Sequence, residues 1–295
     1  MNTKQPLAVL GGDQRQMYMS RTLAAMGYEV YTWGLFEWCV PVPPTVHACS
    51  CWQDAVAAAD TVILPLPATV DGVFVNTPAA LPGALLRLSS LLEAMSGKHL
   101  LGGRLPPALC TAAEGQDIRV TDYYTSEILQ LKNALPTAEG AISIAMQRLP
   151  VTVQGSEVAV VGYGRIGALL AARLEAWGAH VSVFARRGEA RALAELSHHT
   201  AFPLSKQDGY AALCALSPRC RVLFNTVPVR VMTEDVLSQM PRGCLLIELA
   251  SMPGGIDSVA AQRLGFDYVL GSALPGKHTP ESAGVILGES LVELL

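Results

Sequence analysis

The sequence has no excess of positive charge, since 21 Lys and Arg residues stand against 25 Asp and Glu residues among 295. A protein without a basic surface field does not attract nucleic acid, so nucleic-acid binding is excluded as the main function. Charged residues are also scarce, at 16%, whereas hydrophobic residues reach 51%. This composition fills a packed core and excludes disorder, and at this length we expect one large or two medium domains.

Long hydrophobic runs are missing as well, although the mean hydropathy of +0.33 is high. The longest runs, such as 61–66 and 244–250, are far shorter than the roughly 20 residues of a membrane-spanning helix. The apolar stretch 7–12 is too short for a signal peptide and has no cleavage site after it. We therefore expect a soluble, cytoplasmic protein.

Patterns for metal binding and for two familiar kinds of catalysis are absent too. The seven cysteines form no CxxC and no cluster with histidine at zinc spacing, and Cys49 and Cys51 are the only close pair. We interpret them as buried or incidental thiols in a reducing compartment. There is no Walker loop and no Ser/His/Asp elbow, and the His198-His199 pair is interpreted as a surface pair without a third ligand.

Short β-branched runs followed by glycine and a helical pattern recur along the chain, and this is typical of βα units with a parallel sheet. We predict an α/β fold of two Rossmann-like doubly wound domains with a cleft between them. Residues 1–135 are the predicted substrate and catalytic domain, 136–279 the dinucleotide-binding domain, and helix 280–295 is expected to pack back on the first domain. Predicted strands are 7–12, 61–65, 157–161, 179–184, 222–225, 245–249 and 268–271, and 27–32 is predicted to be a turn followed by a strand. Predicted helices are 14–26, 136–149 (restarting at Pro136) and 166–177, and 97–103 is expected to be less regular.

The strongest motif is Gly162-Tyr163-Gly164-Arg165-Ile166-Gly167, which matches GxGxxG directly after a predicted strand and at the start of a predicted helix. In that context Gly162 permits the tight turn and Gly164 lets a pyrophosphate approach the backbone. Gly167 allows close packing of helix on strand. The free N–H groups of the helix N-terminus would then bind the phosphates.

The end of the next strand indicates which cofactor binds. Dehydrogenases that use NAD have an Asp or Glu there for the ribose hydroxyls, whereas this chain has Arg186 and Arg187. A guanidinium binds a 2′-phosphate through charge-assisted hydrogen bonds, so we predict NADP as cofactor. The alternative is that both arginines are merely solvated surface residues.

Two later segments follow strands of the second domain, where such domains contact the nicotinamide end of the cofactor. Thr226-Val227-Pro228 follows one strand and Ala250 follows another, so these residues are candidate ribose or nicotinamide contacts. Glu248 fits a helix-capping or interdomain residue equally well, and we do not predict it to be catalytic.

The first domain has a different loop after its first strand. Gly11-Gly12-Asp13-Gln14-Arg15-Gln16 lacks the third glycine and presents a carboxylate, so it favours a small anionic ligand held by Arg15 over a dinucleotide. Asp13 is equally consistent with a helix N-cap. After the third strand, Thr69 and Asp71 are further candidates at the same edge of the sheet.

Polar residues also mark the predicted junctions between the domains. Asn133 precedes Pro136, and Thr137 there is consistent with an N-cap. Lys277 and His278 precede the last helix and could neutralise carboxylates or move protons, or could be exposed turn residues.

Taken in order, these segments resemble one family. The segments are Gly11-Gly12-Asp13 with Arg15-Gln16, Asn133 with Pro136-Thr137 and Glu139-Gly140, the loop 162–167, Ala250-Ser251 with Pro253-Gly254-Gly255, and Leu274-Pro275-Gly276 with Pro280 and Ala283-Gly284. This order is similar to that of the A subunit of dipicolinate synthase and covers essentially the whole chain. The GGDxRQ and PTxEG segments are specific, whereas the glycine loop would fit many dehydrogenases.

The resemblance implies an activity, a cofactor and a partner. In spore-forming bacteria the family's A subunit works with a flavoprotein-like B subunit, and together they oxidise dihydrodipicolinate to dipicolinate with NADP as acceptor. On this basis Arg15, Lys277 and His278 are candidate anchors for the two carboxylates, with Thr69 and Asn133 as polar contacts. No residue stands out as an obligatory base. The implied location is the mother-cell cytoplasm, and the apolar composition favours a homo-oligomer.

Two alternatives remain open. Two-domain dehydrogenases of 2-hydroxy acids and amino acids share the same plan, although the His–Glu pair with an arginine that the former need cannot be placed here. A dinucleotide-binding regulatory subunit, inactive without its partner, would also fit. Fold analogy does not distinguish these possibilities.

Overall fold

The structure is a computed structural model that describes residues 4–36, 38, 40–208 and 210–295. Contacts between Cα atoms divide the chain into two compact units. The first unit comprises Met1–Asn133 together with Pro275–Leu295, and the second unit comprises Ala134–Leu274.

The first unit contains a parallel sheet with the strand order β3-β2-β1-β4-β5-β6. Its strands are β1 (Leu7–Leu10), β2 (Val30–Trp33), β3 (Val46–Ala48), β4 (Thr61–Ile63), β5 (His99–Gly102) and β6 (Arg119–Asp122). Its helices are α1 (Gln14–Ala25), α2 (Trp52–Ala57), α3 (Leu88–Glu93), α4 (Pro107–Ala113) and, after the second unit, α12 (Pro280–Val292). A short 3-10 helix follows β6 at Tyr123–Thr125.

The second unit repeats this plan with the strand order β12-β11-β10-β7-β8-β9, also parallel. Its strands are β7 (Glu157–Val161), β8 (His180–Ala185), β9 (Thr200–Pro203), β10 (Cys220–Asn225), β11 (Leu245–Glu248) and β12 (Tyr268–Leu270). Its helices are α6 (Arg165–Ala176), α7 (Gly188–Leu196), α8 (Ala211–Cys214), α9 (Glu234–Gln239) and α10 (Ser258–Arg263). Helices α5 (Glu127–Arg148) and α11 (Leu274–His278) contain the boundaries between the two units.

Each sheet is buried on both faces, which explains why its central strands are continuous apolar runs. In β1, Leu7 and Val9 pack into one core, and Ala8 and Leu10 into another on the opposite face. In β7 the alternation is the same, with Val158 and Val160 on one side. The predicted fold class, two Rossmann-like parallel sheets, is confirmed by this topology.

Within the first unit, α12 packs directly against α1 through two glycines. A Cβ atom on Gly284 would lie 2.5 Å from Tyr18 Cβ and 2.6 Å from the Arg15 carbonyl oxygen. A Cβ atom on Gly288 would lie 2.9 Å from Thr22 Cβ. The absence of side chains at these two positions, one helical turn apart, therefore brings the two helix backbones into contact.

Two predictions about local structure are wrong, one at Pro136 and one in the segment 97–103. Helix α5 runs without interruption from Glu127 to Arg148, with Pro136 inside it, so the helix does not restart at that proline. Tertiary packing outweighs the lost backbone hydrogen bond, because α5 buries residues on both sides of the proline, including Leu129, Ala138 and Ile142.

The segment 97–103 contains a regular strand, β5, where we expected irregular structure. Its apolar pair Leu100 and Leu101 is fully buried between β4 and β6. A strand of only 4 residues between glycines is too short to show a periodicity in the sequence.

Candidate functional site

The glycine-rich loop of the second unit has the geometry that its motif predicts. It follows β7, and Gly164 is the N-cap of α6 with extended backbone. Gly162 has a φ of +95°, a left-handed conformation that side chains disfavour. A Cβ atom there would also collide with the Thr226 hydroxyl. The tight turn therefore requires glycine at this position.

The other two glycines of the motif differ in what surrounds them. A Cβ atom on Gly167 would collide with the Gly162 carbonyl oxygen, so this glycine allows α6 to pack on the loop. A Cβ atom on Gly164 would meet nothing within 4 Å, and this residue is exposed. The open space in front of Gly164, at the N-terminus of a 12-residue helix, fits the approach of a pyrophosphate.

The loop faces a cavity of about 520 Å³ at the carboxyl ends of the strands of the second sheet. Its lining includes eight of the predicted cofactor-binding residues: Gly162, Tyr163, Gly164, Arg186, Arg187, Thr226, Val227 and Pro228. It also includes residues that the sequence did not indicate: Ala185, Ala190, Leu204, Lys206, Tyr210, Val229 and Val231. The predicted residues Arg165, Ile166, Gly167 and Ala250 do not line it.

Three cations line the cavity, and no carboxylate does among the described residues. Arg186 and Arg187 are exposed at the end of β8, and no ion pair involves either in the described part of the chain. Arg191 fixes the backbone beneath them, because its Nη1 donates hydrogen bonds to the carbonyls of Ala185 at 3.0 Å and Arg186 at 2.9 Å. The cavity is therefore electrostatically suited to an anionic ligand.

Thr226 joins the glycine loop to β10. Its backbone N–H and its hydroxyl both donate hydrogen bonds to the Val161 carbonyl, at 2.8 and 2.9 Å. The hydroxyl is thus engaged within the protein, and Thr226 contributes to the cavity wall by packing against Gly162.

A buried carboxylate lies behind this wall. Glu248 is 2% exposed, and its Oε1 accepts hydrogen bonds from Asn225 Nδ2 at 2.7 Å and from the Ala250 N–H at 2.9 Å. Its Oε2 accepts from the N–H groups of Gly255 at 2.8 Å and Ile256 at 2.9 Å. Asn225 in turn donates to the Val227 carbonyl at 2.9 Å. The pair therefore fixes the loops that follow β10 and β11.

His199 is buried, so the interpretation of His198-His199 as a surface pair is wrong for this residue. Its Nδ1 lies 3.4 Å from Glu175 Oε2, and its ring meets the Tyr163 ring edge-on at 6.0 Å. Within the described residues neither ring nitrogen has a hydrogen-bond partner. Sequence adjacency to His198 concealed that only one of the two side chains points inward.

In the first unit, the loop after β1 is a capping box. Asp13 is the N-cap of α1; its carboxylate accepts from the Arg15 N–H at 3.0 Å, and Gln16 Oε1 accepts from the Asp13 N–H at 2.8 Å. Arg15 is 5% exposed; it binds Asp13 through Nε and Nη2, and Nη2 also donates to the Leu66 carbonyl at 2.7 Å. Arg15 thus links the ends of β1 and β4, and its predicted substrate role stays a prediction.

Thr69 and Asp71 close a turn after β4. The Asp71 carboxylate accepts from the N–H groups of Val73 at 2.8 Å and Phe74 at 2.9 Å and from the Thr69 hydroxyl at 3.1 Å. These backbone hydrogen bonds hold the pKa of Asp71 below its usual value. Both side chains therefore shape the loop 69–74.

The remaining predicted residues lie on helices. Asn133 is half-buried on α5. Lys277, which is exposed, and His278, which is half-buried, lie in α11, so the alternative interpretation of both as turn residues is wrong. The preceding Gly276 lies against the loop after β1, since its Cβ would be 2.6 Å from Asp13 Oδ2 and 3.0 Å from Arg15 Nε. The first unit thus brings α11, Asp13 and Arg15 together.

A second cavity, of about 480 Å³, lies at the N-terminus of α1. Asp13 and Gln14 are its polar lining, and it is otherwise formed by apolar residues of α1, Phe36 and 78–82. No cation lines it among the described residues, so it does not provide an anion site by itself.

Two further findings concern metal ligands and membrane-spanning helices. Across 4–36, 38, 40–208 and 210–295, no three His, Cys, Asp or Glu side chains are grouped in a way that would hold a metal ion. In the same part of the chain, none of the helices combines the length and the apolar character that crossing a membrane demands.

Comparison with known proteins defines the class first. Residues 124–251 match the family described as "D-isomer specific 2-hydroxyacid dehydrogenase, NAD binding domain". The glycine loop, the cavity and this match together show that the second unit is a nicotinamide-dinucleotide-binding domain of the dehydrogenase type, which supports an oxidoreductase.

The rest of the chain is similar to one particular family. Residues 6–124 match the family of N-terminal domains from the A subunit of dipicolinate synthase. The chain is 29% identical to the A subunit of dipicolinate synthase of Bacillus subtilis (strain 168) over 295 residues, covering 100% of this chain and 97% of that protein. The chain is thus a relative of the dipicolinate synthase A subunit over its whole length, and the resemblance seen in the sequence is confirmed.

Solved structures agree with this relationship. The dipicolinate synthase A subunit from Bacillus halodurans has a TM-score of 0.87 at 27% identity, covering 100% of this chain and 98% of that one. The corresponding subunit from Bacillus subtilis has a TM-score of 0.81 at 28% identity, covering 100% and 96%.

Proposed function

We propose that this chain is the A subunit of a dipicolinate synthase and oxidises dihydrodipicolinate to dipicolinate with NADP⁺. The observation that carries the proposal is the similarity to the dipicolinate synthase A subunit, which spans the first unit as well as the dinucleotide-binding unit. Two-domain dehydrogenases of other substrates share the two-unit plan, so the match of residues 6–124 to the N-terminal domain family is what favours this particular substrate.

The choice of NADP rests on the lining of the 520 Å³ cavity. Arg186 and Arg187 stand where an NAD site has a carboxylate, and Arg191 fixes the turn that presents them. Each charge-assisted hydrogen bond to a 2′-phosphate contributes about 1.5–3 kcal/mol when shielded from water. The exposure of both guanidiniums reduces that contribution.

The proposed reaction removes one hydride and one proton from the dihydropyridine ring, which becomes aromatic, and yields NADPH and H⁺. The bound cofactor supplies the hydride acceptor, carbon 4 of its nicotinamide ring. Aromatisation supplies driving force, so the protein's task is mainly to orient the ring and hold its two carboxylates. The proton can leave to water, since no residue is singled out as its base.

The proposed substrate contacts belong to the first unit: Arg15, Thr69, Asn133, Lys277 and His278. Arg15 and α11 lie together at the carboxyl end of β1, which favours them as a joint group. Asp13 already partners Arg15, so the charge of this guanidinium is partly neutralised before any substrate carboxylate binds. For the assembly we further propose a flavoprotein-like B subunit, a homo-oligomeric state, and a place in the cytoplasm of the sporulating mother cell.

The test measures NADP⁺ and NAD⁺ affinities by calorimetry for wild type and Arg186→Ala, and then turnover of dihydrodipicolinate by absorbance of the reduced nicotinamide. We expect NADP⁺ to bind more tightly, Arg186→Ala to lose about tenfold in NADP⁺ affinity, and turnover to occur. Arg221→Ala, at the opposite end of the second sheet, is the matched control.

The substrate assignment and the cofactor assignment fail separately in this experiment. Equal affinities for the two cofactors would refute NADP as the physiological acceptor. NADP⁺ binding without turnover, both alone and with the B subunit, would refute the substrate and leave a dehydrogenase of another small carboxylic acid. Turnover only with the B subunit would identify a partner-dependent enzyme.

A further inference from the structure

Strands β8 and β9 are neighbours in the second sheet, and their carboxyl ends lie side by side. They pair in parallel, with Ala185 opposite Pro203, and the Leu204 N–H donates a hydrogen bond to the Ala185 carbonyl at 3.2 Å. Arg186 is the next residue on one chain segment and Lys206 follows two residues after Leu204 on the other. The pairing therefore places Arg186 and Lys206, which belong to separate loops, at the same carboxyl edge of the sheet.

Both cations line the same 520 Å³ cavity. The Lys206 side chain is exposed, and no ion pair involves it in the part of the chain that the structure describes. The nearest acid in sequence is Asp208, whose Oδ1 accepts a hydrogen bond from the Tyr210 N–H at 3.0 Å. Asp208 does not line the cavity, so Lys206 presents its charge there without a neutralising carboxylate in the lining.

The remainder of that wall is apolar. Leu204 is buried, and Tyr210 has a φ of +61°, with its N–H donating to the Ser205 carbonyl at 2.9 Å as well as to Asp208. Leu204, Tyr210 and Val231 line the cavity together. The flat nucleobase of a dinucleotide packs well against such an apolar surface, whereas a charged phosphate does not. The cavity thus has an apolar part beside a cationic part formed from two loops.

From this arrangement we propose that Lys206 is a ligand of the 2′-phosphate of NADP and, with Arg186, determines the preference for NADP over NAD. The inference rests on the proposed cofactor and extends it to a residue outside the glycine loop and the β8 turn. Arg186 and Arg187 would approach this phosphate from the turn after β8, and the Lys206 ammonium would approach it from the loop after β9. Cations from two separate loops then surround the double charge of the phosphate.

Lys206 can also be probed by chemical modification, because it is the only lysine between residues 134 and 274. Acetylation by an amine-reactive reagent, followed by mass spectrometry, reports directly on its ammonium group. We expect NADP⁺ to protect Lys206 strongly and NAD⁺, at equal saturation, to protect it weakly. The exposed Lys4, which lies in the first unit and outside both candidate sites, provides the reference for general reactivity.

The decisive experiment measures NADP⁺ and NAD⁺ affinities by calorimetry for wild type, Lys206→Met and Lys206→Arg. Because the ammonium is exposed, we expect Lys206→Met to weaken NADP⁺ binding by about 5- to 10-fold and to change NAD⁺ binding less than twofold. Lys206→Arg is expected to recover most of the loss, and Arg221→Met, a cation removed from the opposite end of the sheet, to change neither affinity. Thermal unfolding of each variant confirms that it is folded.

The outcomes separate this inference from the proposed function. If wild type prefers NADP⁺, Arg186→Ala abolishes the preference and Lys206→Met keeps it, Lys206 is not a phosphate ligand although the cofactor assignment stands. Equal protection of Lys206 by both dinucleotides would also overturn the inference. A wild type without any preference for NADP⁺ would overturn the inference and the cofactor assignment together.

Discussion

Four hydrogen-bond donors converge on the Glu248 carboxylate: the N–H groups of Ala250, Gly255 and Ile256 and the Asn225 amide. Both oxygens are used as acceptors, so the site requires a carboxylate and not merely a polar residue of similar shape. Gly254 and Gly255 are close enough that a Cβ on either would press on Glu248 or Asn225. Glu248, which the sequence does not predict to be catalytic, therefore positions the loops beneath the candidate dinucleotide cavity.

Replacing Glu248 by Gln should destabilise the protein, because the new NH₂ group must face backbone N–H groups on one side or the other. We expect the free energy of unfolding to fall by about 2–3 kcal/mol, with weaker NADP⁺ binding since the Val227 loop is released. Denaturant titration measures the first effect and calorimetry the second. Glu195→Gln, an exposed position on α7, should change neither. Unchanged stability in Glu248→Gln would contradict the proposed role.

Helix α12 provides an example of packing that depends on missing side chains. Gly284→Leu should force α12 away from Tyr18 and the Arg15 carbonyl and cost about 3 kcal/mol or more. Ser282→Leu, on the exposed face of the same helix, is the matched control and should cost less than about 0.5 kcal/mol. Chemical denaturation followed by circular dichroism compares the two variants. Equal stabilities would show that α12 does not pack tightly on α1.

The elements that sequence predicted well are those with local signals. The glycine loop, its flanking strand and helix, and the arginines at the end of β8 all lie close together in the chain and follow a known pattern. The sequence does not predict strand β9, because Thr200–Pro203 lies at the sheet edge and is largely exposed, which leaves no apolar alternation. Without that strand, Lys206 and Tyr210 could not be placed at the cavity.

Other details depended on side-chain conformation or tertiary packing. The residue types at 13 and 15 allowed both an N-cap and an anion site, and only the structure shows that the Arg15 guanidinium is turned back onto Asp13. The continuity of α5 through Pro136 is decided by burial along the helix, which local propensity does not report.

All the residues that line the candidate dinucleotide cavity belong to the second unit. Binding of NADP⁺ at 100 times its dissociation constant should therefore raise the free energy of unfolding of that unit by about 2.7 kcal/mol. Hydrogen exchange should show added protection in β7, β8 and β10, while α1 and α12 of the first unit serve as the internal reference. Protection of the first unit without the second would contradict the assignment of the cavity.

The first unit is discontinuous, since α12 returns to it after the whole of the second unit has intervened. During synthesis the ribosome must therefore translate residues 134–274 before it makes the helix that covers α1. The second unit has all of its strands at that moment, whereas the first still exposes the surface that Gly284 and Gly288 will meet. The order of completion is thus the reverse of the order of translation, and the nascent N-terminal sheet must stay free of aggregation until α12 emerges.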